Sequence, residues 1–213
     1  MSRAFRLGIT GKIGSGKSTL SEVARNLGIR VLDADSIAKD EMNSNPELRS
    51  KIQSVFGEEA YIGGVLNRSY LASKIFTDDS LRIKLEEIVH PATLQVIENE
   101  FHNAKPGEII ALESAILFQT GLEEIFDAVI LVDAKDESVI SREEASGKFS
   151  REDISNRLKK QHYQKEWKDD ADFVVTNDGN KEEFTKRCKG IVELVKIVSK
   201  VDLPEKPLRM IIE

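Results

Sequence analysis

A single cysteine, Cys188, occurs in 213 residues, so no disulfide can form within the chain. Its apolar neighbours suit a small core residue. There are only 5 prolines and one tryptophan, and aromatic residues make up 6%. No stretch approaches the roughly 18 uninterrupted apolar residues of a membrane helix. The start, Met1-Ser2-Arg3-Ala4-Phe5, lacks the apolar run of a signal peptide, which predicts a cytoplasmic location without a membrane partner. The net charge is -6, so the basic footprint of a nucleic-acid binder is missing. The three histidines lie far apart and give no zinc pattern. No internal repeat is visible, and oligomeric state cannot be read.

What is present is an ordinary globular composition, 40% hydrophobic and 32% charged. Short apolar strands alternate with amphipathic helices, which predicts an α/β fold around a parallel sheet. Strands are expected at Arg6 to Thr10, Arg30 to Leu32, Glu108 to Leu112, Ala128 to Val132 and Asp172 to Thr176. A helix from Lys17 places Leu20, Val23, Ala24 and Leu27 on one face and stops at Gly28. A final helix puts Phe184, Cys188, Ile191, Val192, Val195 and Val198 on one side. Asp35 to about Phe101 is mostly helical, with breaks expected at Asn45-Pro46, Gly63-Gly64 and His90-Pro91. This stretch reads as an inserted helical subdomain. Asp136 to Lys168 is polar and helical with Gly147 in its middle, which suits a mobile lid or a rigid surface hairpin. The tail from Lys200 reads as a loose surface segment.

Gly11-Lys12-Ile13-Gly14-Ser15-Gly16-Lys17-Ser18 fits G-x-x-x-x-G-K-[ST] between a strand and a helix. Glycines let the backbone curl, and its inward amides form a nest for phosphate oxygens beside a helix N-terminus. Lys17 supplies a cation for the β- and γ-phosphates, and Ser18 offers Mg²⁺ a hydroxyl ligand. The loop alone does not separate kinases from other nucleotide-binding proteins. The short chain, the missing Asn-Lys-x-Asp guanine motif and the charged late segment favour a small-molecule kinase using ATP and Mg²⁺.

The runs Leu7-Gly8-Ile9-Thr10-Gly11, Ile13-Gly14-Ser15-Gly16-Lys17-Ser18-Thr19 and Leu32-Asp33-Ala34-Asp35 resemble the dephospho-CoA kinase family. So do Leu66-Asn67-Arg68, Leu85-Glu86-Glu87-Ile88-Val89-His90-Pro91, the Arg157-x-x-x-Gln161 spacing and Asn177-Asp178-Gly179. The matches reach about Lys196. The resemblance implies a P-loop kinase three-layer α/β fold with a central parallel five-stranded sheet, in one domain over residues 1–213. Its core would be 1–34, 106–135 and 170–199, with a helical CoA-binding insertion at 35–105 and a lid at 136–168. The implied reaction is attack of the dephospho-CoA 3′-hydroxyl on the γ-phosphate of ATP. Alternatives are a nucleotide- or CoA-binding protein with weak or no transfer, and a P-loop kinase of another nucleoside-like substrate.

The resemblance assigns nucleotide binding to Gly11, Gly14, Ser15, Gly16, Lys17, Ser18 and Thr19. Asp33 ends the second strand, where ligands meet an open α/β sheet, and would be the catalytic base, with Asp35 as helix cap or supporting group. A plain helix cap is the other reading of Asp33. Arg142 and Arg157 fall at lid arginines that would hold phosphate, Arg142 in a catalytic role. Glu113, after the third strand, could hold a Mg²⁺-bound water or cap the next turn. His90-Pro91 is read as structural, and Trp167 as packing.

Several residues depart from the family pattern. Lys12 replaces a usual glycine, and would be strained if that position needs positive φ. Ser114-Ala115-Ile116 stands for Pro-Leu-Leu. Ser146 and Gly147 stand for an Arg-Asp pair, with Lys148 or Arg151 as possible compensation, and Trp167 stands for a lysine.

Overall fold

In the computed structural model, residues 3–145, 147, 150–160, 167–201 and 210–212 are described. Ser146, Lys148 and Gln161 lie outside them. The chain forms two compact units, Met1–Leu32 with Ala104–Glu213, and Asp33–Asn103.

The first unit opens with β1 (Phe5–Thr10), α1 (Lys17–Asn26) and β2 (Arg30–Asp33). The second unit follows with α2 (Ala34–Ser44), α3 (Pro46–Phe56), β3 (Tyr61–Ile62), β4 (Val65–Leu66), α4 (Arg68–Thr77) and α5 (Asp79–Asn103). The chain then returns to the first unit with β5 (Ile109–Glu113), β6 (Ala128–Asp133), α6 (Asp136–Ala145) and α7 (Arg151–Lys160). It ends with α8 (Trp167–Asp170), β7 (Phe173–Thr176), α9 (Lys181–Val198) and β8 (Met210–Ile212).

The main sheet has the order β2-β5-β1-β6-β7-β8. Its five inner-to-early strands are those read from the sequence. The sixth, β8, lies in the tail expected to be loose, and pairs in parallel with β7 from Phe173↔Met210 to Val175↔Ile212. Central strands carry near-continuous apolar runs because both faces are covered. Accordingly, Leu7 and Ile9 of β1 and Val129 to Val132 of β6 are fully buried. One side of this core is filled by Leu20, Val23 and Ala24 of α1 and by Phe184, Cys188, Ile191, Val192 and Val195 of α9. The helical spacing of these residues predicted that face.

The second unit has its own core, with Leu48, Ile52, Phe56, Leu71 and Val89 at its centre. Asn45 caps α3 by accepting from the amides of Glu47 and Leu48, and Pro46 takes the first turn, where no amide partner is needed. Gly63 and Gly64 turn a two-residue hairpin between β3 and β4, too short to show an alternating pattern. The break expected at His90-Pro91 is not there, because α5 runs through Pro91. Proline inside a helix removes one hydrogen bond and costs about 3 kcal/mol. Burial of Val89, Thr93, Ile97 and Phe101 along the inner face of α5 offsets that cost.

In the charged segment, Val139 and Ile140 of α6 pack with Ile154 and Leu158 of α7. This buried apolar seam holds the two helices as a hairpin. Gly147 sits between them with φ 70°, a conformation that suits glycine. Trp167 is buried and stacks on Phe118 at 5.7 Å between ring centroids.

Candidate active site

β1 ends at Thr10, and the chain curls through Gly11 to Gly16 into α1. Gly11 has φ 148° and Gly16 φ 110°. A Cβ at Gly11 would press into the Val132 carbonyl, and one at Gly16 into the side-chain amide of Asn177. Both glycines are therefore required by conformation and by space. Ser15 N–H donates to Lys12 O at 3.1 Å and closes the turn. The helix begins without a side-chain cap and without an acidic residue in its first turn. Uncapped amides at a positive dipole end make an anion site.

Lys17 folds back over the loop, its Nζ donating to Gly11 O at 2.8 Å and Lys12 O at 3.1 Å. Lys12 does not have positive φ, as no non-glycine residue among those described does, so the strain considered for it is absent. Its ammonium is buried and pairs with Asp136 in the first turn of α6.

A cavity of about 380 Å³ opens on this loop at the carboxyl ends of β1, β5 and β7. Gly14, Gly16, Lys17, Ser18 and Thr19 line it, together with Glu113 from the end of β5 and Arg142 from α6. Ligands of open α/β sheets bind at such strand ends. Ser18 is exposed, whereas Ser15 is fully buried and its Oγ has no hydrogen-bond partner. Gly11 and Ser15 shape the loop from behind.

Arg142 donates from Nη1 to Asn177 O at 2.6 Å and from Nη2 to Gly14 O at 3.3 Å. Burial pushes its pKa down from the ordinary arginine value, against the opposing charges of Asp178 and Glu143. Arg157 stands exposed on α7 and is not among the residues lining the cavity. There Asp153 is held below the usual carboxyl range by its hydrogen bonds from Ser150, with a smaller effect from the Arg157 charge.

Asp33 belongs to the second unit and caps α2. Its Oδ1 accepts from the amides of Asp35 at 2.9 Å and Ser36 at 3.2 Å, and its Oδ2 accepts from Ser36 Oγ at 3.1 Å. The cap expected of Asp35 is thus made by Asp33. The reason is position: the cap is the last non-helical residue, and Asp35 already lies in the first turn.

The sequence reading missed several neighbours. Glu143, Asn177, Gly179 and Lys181 all line the cavity. Asn177 donates from Nδ2 to Ser15 O at 2.6 Å, and its own N–H donates to Asp133 O at 2.8 Å. Its signal was available as an amide side chain at the carboxyl end of a strand, in a run noted only for its match to the family. Asp133, ending β6, pairs with Lys168 of α8 at 2.6 Å.

Comparison with known proteins agrees with this geometry. The family model described as dephospho-CoA kinase matches residues 5–183. A dephospho-CoA kinase from Bacteroides fragilis is 32% identical over 178 residues, covering 84% of this chain and 87% of the relative. A crystal structure from Thermus thermophilus superposes with TM-score 0.77 at 31% identity, covering 91% of this chain and 98% of the other. The dephospho-CoA kinase from Campylobacter jejuni superposes with TM-score 0.67 at 26% identity, over 92% of this chain and 97% of its own. With the loop, the sheet order and these matches together, the chain belongs to the dephospho-CoA kinase family.

Proposed function

We propose that the chain performs the reaction of its family, the ATP-dependent phosphorylation of dephospho-CoA to coenzyme A, with the ribose 3′-hydroxyl as acceptor. The observation that carries the reading is the glycine-curled loop running into an uncapped α1, with Lys17 over it and a cavity in front. Such a cradle gathers positive potential where phosphoryl transfer builds negative charge. Lys17 would exchange its two loop carbonyls for phosphate oxygens as the nucleotide enters. The acceptor oxygen attacks the γ-phosphorus, the bond from that phosphorus to the ADP oxygen breaks, and the hydroxyl proton passes to a carboxylate.

Asp33 is assigned that proton. Its capping bonds fix the carboxylate in orientation: Oδ1 is taken by the amides of Asp35 and Ser36, and Oδ2, which accepts from Ser36 Oγ, keeps lone-pair capacity for the proton. Arg142 and Arg157 are assigned to phosphate oxygens. The donor set suits Mg²⁺, which takes one or two protein oxygens beside phosphates and waters: the Ser18 hydroxyl and the Glu113 carboxylate both line the cavity. Ser18 would hold the ion, with Glu113 acting through a bound water. When bound, Mg²⁺ offsets charge shared by the β- and γ-phosphates. In the same reading residues 35–105 receive dephospho-CoA, 136–168 act as the lid, and the protein works in the cytoplasm on small molecules rather than nucleic acid.

The test compares wild type with Asp33→Asn in acceptor-dependent ADP release. Asparagine caps a helix as well as aspartate, so α2 is kept while the proton acceptor is lost. Turnover should fall at least about a hundredfold, with ATP affinity unchanged. Near-normal turnover would reject Asp33 as the base.

A further inference from the structure

We infer that Asn177 is a positioning residue that aims the Gly16 N–H at the nucleotide phosphates. The residue stands one step beyond β7, and its backbone is fully engaged. Its N–H donates to Asp133 O at 2.8 Å, which continues the β6–β7 pairing, and its carbonyl accepts from Arg142 at 2.6 Å. The residue is therefore fixed to the sheet on one side and to α6 on the other.

Its side chain is buried and reaches the phosphate loop, 162 residues away in sequence, at Ser15 O. A carbonyl can only accept, so the amide nitrogen must face it. The described residues have no cis peptide bond, so the Ser15–Gly16 peptide is trans. In a trans peptide the C=O and the following N–H point in opposite directions. Drawing Ser15 O onto Asn177 thus turns the Gly16 N–H away from Asn177, and Gly16 is one of the residues that line the cavity. The same contact explains why position 16 must be glycine, since a Cβ there would meet the Asn177 amide. Asn177 acts through the loop backbone, by setting one peptide plane.

This inference rests on the reading of Gly11–Ser18 as a phosphate cradle. Its test is calorimetric titration of the full chain with ATP and with ADP, for wild type and Asn177→Leu. Leucine keeps the branched four-heavy-atom skeleton of asparagine but has no donor, and it leaves Ser15 O buried without this partner. Both nucleotides should bind about tenfold more weakly, because the Ser15–Gly16 peptide is no longer held in the plane that aims the Gly16 N–H before the nucleotide arrives. The KM for dephospho-CoA should not change. If Asn177 only packs, leucine should lower the melting temperature and leave ATP and ADP affinity unaltered, and that result overturns the inference. Should the variant fail to fold, the wild-type amide resonances decide. Adding ADP should shift the Gly16 amide proton more than any amide of β7, and a Gly16 amide that does not respond overturns the inference. A wild type that binds neither nucleotide removes the cradle itself, and the role of Asn177 with it.

Discussion

Cys188 lies fully buried on α9, and desolvation pushes its thiol from an ordinary value of 9.0 up to about 12. Unfolding returns the thiol to water, so the unfolded chain releases its proton first as pH rises. This contribution to stability is whole below about pH 9 and is lost as pH climbs towards about 12. Between about pH 9 and 12 the stability of wild type should therefore fall more steeply with pH than that of Cys188→Ala, which has no thiol to titrate. A thiol reagent near neutral pH should label the native protein far more slowly than the unfolded one; equal rates would contradict the burial. Lys12 teaches a related lesson about single residues. Its replacement of a usual glycine looks costly only if the backbone there needs positive φ, and the backbone does not. The side chain instead finds Asp136, a partner 124 residues away that no local pattern could announce. An even longer separation, 162 residues, hid the contact of Asn177 with Ser15, whereas Gly11, Gly16, Lys17 and Ser18 were legible because the loop is specified by neighbours along the chain.

Among the elements, strands read well wherever both faces are buried. β6 is apolar from Ala128 to Val132 and β1 is interrupted only by Arg6 before its final Thr10, and their boundaries were predicted to within a residue. Elements whose existence depends on tertiary contacts read poorly. β8 exists only by pairing with β7, and β3 with β4 only as a hairpin. At Pro91 the local rule favoured a break, and packing along α5 overrode it. Asp172 shows a side chain finishing a strand. It is buried just before β7, and its Oδ2 accepts the Val129 N–H of β6 at 2.8 Å. Asp172→Ala leaves that buried amide without this acceptor, and stability in urea should drop by about 1–3 kcal/mol. ATP affinity should survive, since the contact lies at the N-terminal end of β6, remote along that strand from Asp133. An unchanged urea midpoint would show that the bond contributes nothing.

At the scale of the whole molecule, the sheet order β2-β5-β1-β6-β7 sets the phosphate loop after a central strand, with strand ends on both sides to supply side chains. β5 gives Glu113 and the turn after β7 gives Asn177, while α6 adds Arg142. That is how a chain of net charge -6 gathers Lys17, Arg142 and Lys181 around one cavity. The family was legible across the chain because its motifs are short runs of neighbouring residues, from the phosphate loop after β1 to the run 85–91 inside α5. The departures in the charged segment were equally legible, but their effect was not, because the α6–α7 seam is an apolar contact that spacing alone did not assign. The central claim is phosphoryl transfer to dephospho-CoA, and it is tested most directly by identifying the product. Purified protein with ATP, Mg²⁺ and dephospho-CoA should convert the acceptor to coenzyme A, one molecule for each ADP formed, with no ADP when the acceptor is omitted. ATP binding with the acceptor recovered unchanged, or ADP formed without it, would contradict the account.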